Sequence, residues 1–302
     1  MIKLLLLIQL LCSAVNGANI LAFFHNPAIS HQFVFRSIVK ELSLRGHSVT
    51  FVTSDPMKDA ALTNITEVDI SASYQIFKNL DASIFSREAT NLIKMGILGL
   101  DFTQNLFKIQ MEVEGVKEIL KKPKDTYDLV LIEVGNPIYN GLKYKFKAPL
   151  IAISSYGIPS YWHELLGNPT HPFLYVDIFS KYLDPLESIW GKIDSLYIYL
   201  VNFFLGEFLI FPSTDKLARS YFGNDMPYIK DLVRDTSLTI ANVNPIISDR
   251  RPLAPNVVEV WNLHLNRVEP SQKVSIYAGV KLATKYQQRI VPKGVTRLKI
   301  CI

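Results

Sequence analysis

The stretch from residue 18 to residue 53 constrains the fold more than any other part of the chain. It contains an apolar run (19–24, NILAFF), a polar loop, an amphipathic run (31–45), Gly46 and a second apolar run (48–53, SVTFVT). Continuous apolar runs of this length are typical of strands buried on both faces. The amphipathic run has apolar side chains at helical spacing, and glycine is common just after a helix. The stretch therefore predicts a βαβ unit with a right-handed crossover.

This unit places His31 at the start of the helix, just beyond the carboxyl end of the first strand. Ser30 is predicted to be the N-cap, because its hydroxyl can accept a hydrogen bond from a free backbone N–H group. Ligands of open α/β sheets bind at this edge, and the positive helix terminus favours a neutral imidazole. A neutral histidine in a cleft can act as a general base. On this unit alone, the interpretation of His31 as an ordinary polar residue of the first turn is favoured.

A second candidate residue, Glu133, lies near the end of another apolar strand, where an unpaired buried carboxylate would be costly. In the doubly wound strand order 3-2-1-4, this strand is next to the first one, so Glu133 and His31 share a sheet edge. A carboxylate beside an imidazole fixes its tautomer and stabilises the imidazolium. A structural salt bridge or a solvent-facing strand end is the alternative. We predict further strands at 67–72, 128–134, 149–153, 236–242 and 256–261, and helices at 103–121 and 138–147.

Residues 1–17 have the pattern of a secretory signal peptide. Lys3 provides the positive end, residues 4–12 form the apolar core, and Val15 and Gly17 occupy the −3 and −1 positions of the predicted cleavage site. A signal anchor is the alternative, but this core is far shorter than the ~20 residues that span a membrane.

The cysteines and the single glycosylation sequon give only weak support for a secreted chain. Cys12 leaves with the signal peptide and Cys301 is then the single cysteine, so no internal disulfide is predicted. Asn64 begins an Asn-Ile-Thr sequon and is a candidate glycosylation site if it is exposed. The net charge of +5, with no basic cluster interleaved with aromatic residues, does not favour nucleic-acid binding.

The segment 196–211 is very apolar and is followed by Pro212, which is predicted to end it. It is short for a membrane span, so a buried or membrane-surface helix is favoured over a transmembrane one. No Walker A loop, GxGxxG or GxSxG motif occurs in the sequence. The run 162–167 (WHELLG) begins like a zinc-protease helix but has glycine where the second histidine is required, so no metal site is predicted.

Several of these stretches together resemble animal UDP-glycosyltransferases, most closely those of insects, a group that includes UDP-glucuronosyltransferases. The resemblance extends over about residues 1–270 and corresponds to the N-terminal half of these enzymes. Besides the signal peptide it is carried by NILAFF at 19–24, SHQ at 30–32, LRGHSVTFVT at 44–53, YDLVLIE at 127–133, KAPLIAISS at 147–155 and RPLAPNVVEV at 251–260.

The resemblance implies a Rossmann-like doubly wound parallel sheet that is the N-terminal, acceptor-binding domain of a GT-B glycosyltransferase. It implies that His31 is the base that activates an acceptor hydroxyl for inverting attack on a UDP-sugar, such as UDP-glucose or UDP-glucuronate. Glu133 takes the place of an acidic partner that is often Asp in the family. Ser30 and Phe33 are expected on the acceptor side. No cofactor is implied beyond the UDP-sugar co-substrate, and the segment 196–211 resembles a membrane-surface segment near the acceptor site.

The chain departs from the family pattern after Val260, where Trp261 and Asn262 replace the usual Gly-Gly pair. We therefore expect three parts: a signal peptide (1–17), the acceptor-binding domain (18–272) and a divergent tail (273–302). The motifs of the donor-binding domain and a C-terminal membrane helix are not found in the tail. The expected enzyme is then a truncated form in the lumen of the endoplasmic reticulum or secreted. A non-catalytic lipophile-binding fragment, or one that pairs with a full-length enzyme, is the alternative; a secreted hydrolase lacks a nucleophile motif.

Overall fold

The computed structural model describes residues 17–79, 91–175, 177, 179–180, 188–244 and 251–263. The chain divides into two units, residues 1–264 and 265–302, and all of the described residues lie in the first. The apolar core of the predicted signal peptide and the predicted tail 273–302 lie outside the described residues.

The described part of the chain is built on a seven-stranded parallel sheet in the order β3-β2-β1-β4-β5-β6-β7. This order confirms the predicted neighbours, since β1 pairs with β2 on one side and with β4 on the other. The strands are β1 (Asn19–Phe24), β2 (Ser48–Thr53), β3 (Ile65–Asp69), β4 (Leu129–Glu133), β5 (Leu150–Ser154), β6 (Leu238–Ala241) and β7 (Val257–Glu259).

Helices cover both faces of this sheet, as the predicted Rossmann-like fold requires. The α-helices are α1 (Ile29–Leu44), α2 (Leu92–Met111), α3 (Glu114–Lys121), α4 (Gly141–Phe146), α5 (Ser160–Leu165), α6 (Ile189–Leu205), α7 (Phe211–Phe222) and α8 (Ile229–Arg234). Short 3₁₀ segments lie at Ser71–Asn79, Lys124–Thr126 and Pro137–Asn140, and a π-helical turn at Gly206–Ile210 joins α6 to α7.

Side chains alternate between two hydrophobic clusters on the two faces of the sheet, because successive strand residues point in opposite directions. Leu21 and Phe23 of β1 pack into the larger cluster, with residues of α2, α3, α4, α7 and α8. Ile20, Ala22 and Phe24 pack on the other face, where the ring of Phe24 stacks on that of Phe35 from α1 at 3.8 Å. A continuous apolar strand therefore means burial on both faces, as the sequence predicted.

The start of α1 differs from the prediction. The N-cap is Ala28, which makes no side-chain capping bond, and Ser30 is the second residue of the helix rather than its cap. The backbone N–H groups of His31 and Gln32 both donate to the carbonyl of Ala28, so the helix begins two residues earlier than predicted. At the other end, Gly46 follows the helix with a φ of +88°, which a glycine adopts without strain.

The single helix predicted at 103–121 is wrong, because two helices cover this stretch. Val113 has extended backbone angles and separates α2, which already begins at Leu92, from α3. The break lets both helices turn apolar residues toward the sheet. It also brings Gly115 so close to β3 that a Cβ there would lie 2.7 Å from Cγ1 of Val68.

The prediction that Pro212 ends the apolar helix is also wrong. The π-helical turn continues α6 directly into α7, so one helical stretch runs from Ile189 to Phe222 and Pro212 lies in the first turn of α7. The proline is accommodated because the bonding pattern is already shifted next to it: the N–H of Phe211 donates to the carbonyl of Gly206, five residues back instead of four. By length and composition this stretch could cross a membrane, and 28% of its most apolar window is buried within the protein.

Candidate active site

His31 and Glu133 meet at the carboxyl edge of the sheet, as the strand order predicted. Glu133 is the last residue of β4, and it lies on the same face as Leu131, which packs under α1. His31 is the third residue of α1, and its Nδ1 lies 2.5 Å from Oε1 of Glu133. The pair forms because the β1–α1 loop returns the helix over the neighbouring strand.

Gln32 fixes the loop that carries His31, and the sequence reasoning did not assign it this role. Its side chain is fully buried, and its Nε2 donates to the carbonyl of Asn26 at 2.8 Å. Its Oε1 accepts a hydrogen bond of 2.7 Å from the hydroxyl of Thr53, at the end of β2. Gln32 thus ties the first turn of α1 to the β1–α1 loop and to the end of β2, which holds the adjacent imidazole in place.

Glu133 is buried, with 2% of its side chain exposed, whereas His31 is 22% exposed. Burial raises the pKa of the Glu133 carboxyl, and the hydrogen bond and charge of His31 act in the opposite direction. Oε2 of Glu133 is buried and has no hydrogen-bond partner among the described residues. Such a carboxylate is costly to the fold, so its position is better explained by the imidazole that it orients than by stability.

Two further polar groups surround Nδ1 of His31. The hydroxyl oxygen of Ser155 lies 2.9 Å away and Nδ2 of Asn26 lies 3.1 Å away. Ser155 also donates to Oε1 of Glu133 at 3.4 Å. Both were missed as site residues, although Ser155 directly follows the apolar strand β5 and Asn26 lies in the β1–α1 loop.

The arrangement leaves Nε2 of His31 for a ligand. Among the described residues, the carboxylate of Glu133 is the only anionic group at Nδ1, so we assign the ring proton to Nδ1 as a donor to Glu133, and Nε2 then carries the free lone pair. The ring of Tyr156 meets that of His31 edge-on at 5.7 Å and is 42% exposed. Nε2 makes no hydrogen bond to any described residue, so the imidazole has an oriented partner at Nδ1 and an unbonded nitrogen, an arrangement that is able to remove a proton from a hydroxyl.

A second histidine, His25, lies at the end of β1 but is placed differently. Its ring is buried and stacks on Tyr139 at 4.3 Å between centroids. Burial, and to a lesser extent the charge of His31, lowers the pKa of His25 to about 3. This imidazole is neutral at physiological pH and belongs to the core beneath the site.

The other predicted site residues are exposed near the helix start. Ser30 and Phe33 both lie on the open side of the first turns of α1, where 53% of Phe33 is exposed. The guanidinium of Arg36 lies 5.8 Å from the centre of the Phe33 ring. Their contact with an acceptor stays a prediction. Within the ranges that the structure describes, no group of His, Cys, Asp or Glu side chains is arranged to hold a metal ion.

Asn64 is half-buried, and its amide is already bonded within the fold. Nδ2 donates to the carbonyls of Ser43 and His47, at 2.9 and 2.7 Å. A glycan on Nδ2 would replace one of these hydrogens, so glycosylation would remove one of the two bonds. Glycosylation of Asn64 stays a prediction, and it would cost the fold one of these hydrogen bonds.

Comparison with known proteins identifies relatives along most of the chain. UDP-glucosyltransferase 2 of Dactylopius coccus is 30% identical over 276 residues, which are 88% of this chain and 51% of that protein. The ecdysteroid UDP-glucosyltransferase of Lymantria dispar multicapsid nuclear polyhedrosis virus is 29% identical, over 88% of this chain and 54% of that protein. No protein-family model matches the chain.

Solved structures of glycosyltransferases are also similar, but more distantly. The glycotransferase of kitacinnamycin is 15% identical, with a TM-score of 0.43 over 85% of this chain and 54% of that one. A UDP-glucosyltransferase from Polygonum tinctorium is 12% identical, with a TM-score of 0.36 over 87% of this chain and 55% of that one. Scores this low identify no fold by themselves. The sequence relatives nevertheless confirm that the chain is related to UDP-glycosyltransferases, and it spans about half the length of the curated relatives that it matches.

Proposed function

We propose that the chain is the acceptor-binding part of a UDP-glycosyltransferase of the GT-B type, which transfers a sugar from a UDP-sugar to a hydroxyl of a small lipophilic molecule. The observation that carries the proposal is the His31–Glu133 pair at the carboxyl edge of the sheet. The names of the relatives support it, since several are UDP-glucosyltransferases and some act on ecdysteroids by name. UDP-glucose is accordingly the first donor to test, followed by UDP-glucuronate.

In the proposed reaction, Nε2 of His31 removes the proton of the acceptor hydroxyl as its oxygen attacks the anomeric carbon of the sugar. The bond between that carbon and the UDP oxygen breaks, and UDP leaves with the bonding electrons. Attack from the side opposite to UDP inverts the anomeric configuration. Glu133 holds Nδ1–H, and its charge stabilises the imidazolium that forms. Ser155, which contacts both groups, keeps them aligned.

The uridine and phosphates would be bound by the part of such an enzyme that corresponds to the other half of the relatives. The alternative left open by the sequence, a lipophile-binding chain without catalysis or one that modulates a full-length partner, predicts acceptor binding with no sugar transfer under any condition.

The long apolar stretch from α6 to α7 supports a site at a membrane surface. Its exposed large apolar residues are Ile189, Trp190, Ile193, Leu196, Tyr197, Leu200, Phe204 and Phe208. Lys230 of α8 is largely buried and forms an ion pair with Glu207 of the π-helical turn, whose carboxylate also accepts a 2.7 Å hydrogen bond from Tyr161. These bonds attach the stretch to the domain, so we infer that it lies on a lumenal membrane surface of the secretory pathway rather than across it.

The experiment that tests the proposed reaction uses a chimera. Residues 18–264 are fused to the part of the Dactylopius coccus UDP-glucosyltransferase 2 that this chain does not cover, and transfer from UDP-glucose to a panel of lipophilic alcohols is measured. His31→Ala should lower the rate by ~10²–10⁴-fold, the usual contribution of a general base, without a change in the melting temperature. Lys40→Ala, an exposed change on the same helix, is the matched control. Near-normal turnover by His31→Ala would reject His31 as the base.

A further inference from the structure

A buried glutamine of α2, Gln110, contacts the loop that carries His31 from the opposite face of the sheet. The side chain of Gln110 is fully buried near the end of α2. Its Nε2 donates a hydrogen bond of 2.6 Å to the carbonyl of His25, the first residue after β1. Phe107 and Met111, its neighbours on α2, pack in the larger cluster, whereas α1 covers the other face. The reaction proposed above gives Gln110 no role.

Three successive carbonyl groups at the start of the β1–α1 loop are bonded by two glutamine side chains. Gln110 bonds the carbonyl of His25. Nε2 of Gln32 donates to the carbonyls on either side, those of Phe24 and Asn26, at 3.4 and 2.8 Å. Buried backbone carbonyls need a partner, and here the partners are side chains from both faces of the sheet. The backbone that leads into α1 is therefore held from two sides.

The carboxamide of Gln110 is itself held in one orientation. Its Oε1 accepts a hydrogen bond of 2.5 Å from the hydroxyl of Tyr139, and its Nε2 also donates to Oγ of Ser73 at 3.0 Å. Only the nitrogen end of an amide can donate to a carbonyl, so the Tyr139 hydroxyl at the oxygen end keeps the nitrogen on His25. The ring of Tyr139 also stacks on that of His25 at 4.3 Å.

This network costs more than the burial of α2 requires, since an apolar side chain of similar size would need no partners. Buried polar networks whose members are all bonded specify one arrangement of the core. The arrangement specified here is that of the backbone just before α1, and His31 lies six residues beyond the bonded carbonyl of His25. Nδ1 of His31 lies 2.5 Å from Oε1 of Glu133, and a misplacement of about 1 Å can cost on the order of 10²-fold in rate.

We propose that Gln110 is a positioning residue for the base. By holding the carbonyl of His25, it keeps the β1–α1 loop in the conformation that pairs His31 with Glu133. Gln110 acts through the backbone of His25. The kinetic part of this inference rests on the proposed function, whereas the part that concerns the His31–Glu133 pair is a property of this chain alone.

The first test follows the His31–Glu133 hydrogen bond in the full chain by proton NMR. An imidazole N–H that donates to a buried carboxylate resonates far downfield of the amide protons, and His31→Ala identifies the signal. Gln110→Met keeps the length of the side chain and removes both of its polar ends, so the signal should disappear. Ser73→Ala is the matched control, because Ser73 bonds to Gln110 but, among the described residues, not to the β1–α1 loop. The signal should persist in this control.

The second test measures transfer in the chimera. Gln110→Met should lower kcat by about 10- to 100-fold and leave KM for both substrates within about twofold. It should also change the pH profile of kcat, which a residue that only stabilises the core would not do. Tyr139→Phe is a milder second variant, because it removes one hydroxyl and keeps the ring on His25. Its kcat should fall by about threefold or more, whereas Ser73→Ala should keep the kcat of the wild type.

The melting temperatures of the variants separate positioning from support of the core. If Gln110→Met kept the signal and kcat and only lowered the melting temperature, as Ser73→Ala is expected to do, the inference would be overturned. Loss of the signal in both variants would also overturn it, because any change in the network would then break the pair. Should Gln110→Met fail to fold, Tyr139→Phe decides by the same readouts. Normal transfer by the His31→Ala chimera would reject the proposed function, while loss of the NMR signal in Gln110→Met alone would still support the positioning of His31.

Discussion

At the scale of single residues, the site pairs a partly exposed imidazole with a buried carboxylate. Nε2 of His31 makes no hydrogen bond to any described residue, whereas Glu133 is buried and contacts the ring at Nδ1. The two side chains therefore affect the stability of the fold differently. The carboxylate of Glu133 carries a desolvation penalty whenever it is ionised. Its charge acts on the reacting proton through the imidazole of His31.

This difference makes Glu133→Gln informative. The raised pKa of Glu133 means that the folded state gains protons relative to the unfolded state, so the contribution of this group to stability is present below its unfolded pKa of 4.5 and is lost as pH rises through its folded pKa. At neutral pH, the glutamine variant should be at least as stable as the wild type by urea unfolding. Its transfer rate in the chimera should fall by about 10²-fold or more, with a changed pH profile, because the imidazolium loses its counter-charge.

Glu118→Gln, an exposed change on α3, is the matched control. If Glu133→Gln lowered stability and left the rate and pH profile unaltered, Glu133 would be a structural strand-end residue with no part in the reaction.

At the scale of elements, the sequence predicted what each segment is better than where it ends. The βαβ unit and the order of its neighbours were predictable because continuous apolar strands and a glycine-terminated amphipathic run are local signals. The break at Val113 was not, since the apolar spacing continues across it and only the close approach of Gly115 to Val68 shows why the helix divides. The prediction that Pro212 ends the helix was wrong for the opposite reason. Proline is a local helix-breaking signal, but the π-helical turn continues the helix past it.

The exposed apolar face of α6 and the π-helical turn carries a prediction about membranes. Trp190 and Phe208 are 66% and 73% exposed. Each large apolar side chain contributes about 1.5 kcal/mol or more when it is buried. Replacing both with serine should therefore lower partitioning onto phosphatidylcholine vesicles at least tenfold, as measured by sedimentation, with little change in melting temperature.

Leu44→Ser serves as the comparison, because Leu44 is also 66% exposed but lies at the end of α1. Equal partitioning of the double variant and the wild type would show that this face contacts something other than lipid.

At the scale of the whole molecule, two buried histidines couple the fold to pH. His25 lies in the core below the site, and His163 of α5 is buried, with Nδ1 bonded to Nδ2 of Asn168 at 3.1 Å. Burial lowers the pKa of each to about 3, assisted for His25 by the charge of His31 and for His163 by that of Arg251. Neither could be inferred from sequence, because burial of a polar residue depends on long-range packing. The same is true of Ser155 and Gln32, whose roles depend on which strand ends meet.

Both histidines have lowered pKa values, so the fold loses stability as pH falls. The stability from each neutral histidine is fully present above pH 6.5 and is lost as pH falls toward 3, at about 1.4 kcal/mol per pH unit and per histidine. The free energy of unfolding, from urea titrations, should decrease between pH 6.5 and 5, and the raised pKa of the Glu133 carboxyl acts in the opposite direction as pH falls. His163→Gln should therefore remove half or more of the slope. An unchanged slope would place the proton uptake at other groups.

The π-helical turn between α6 and α7 determines which side of α7 faces the core. Buried positions on α6 and α7 recur every three or four residues, at 191, 195, 198 and 201 and again at 211, 214, 218 and 222. Across the turn, the spacing widens to five residues on each side of Gly206, which packs against the ring of Tyr161. Removing one residue there would rotate α7 by about 100° relative to α6 and turn Phe211, Ala218 and Phe222 away from the core. Residues along α6 and α7 can be substituted, but inserting or deleting a single residue between the two helices would remove α7 from its place in the core.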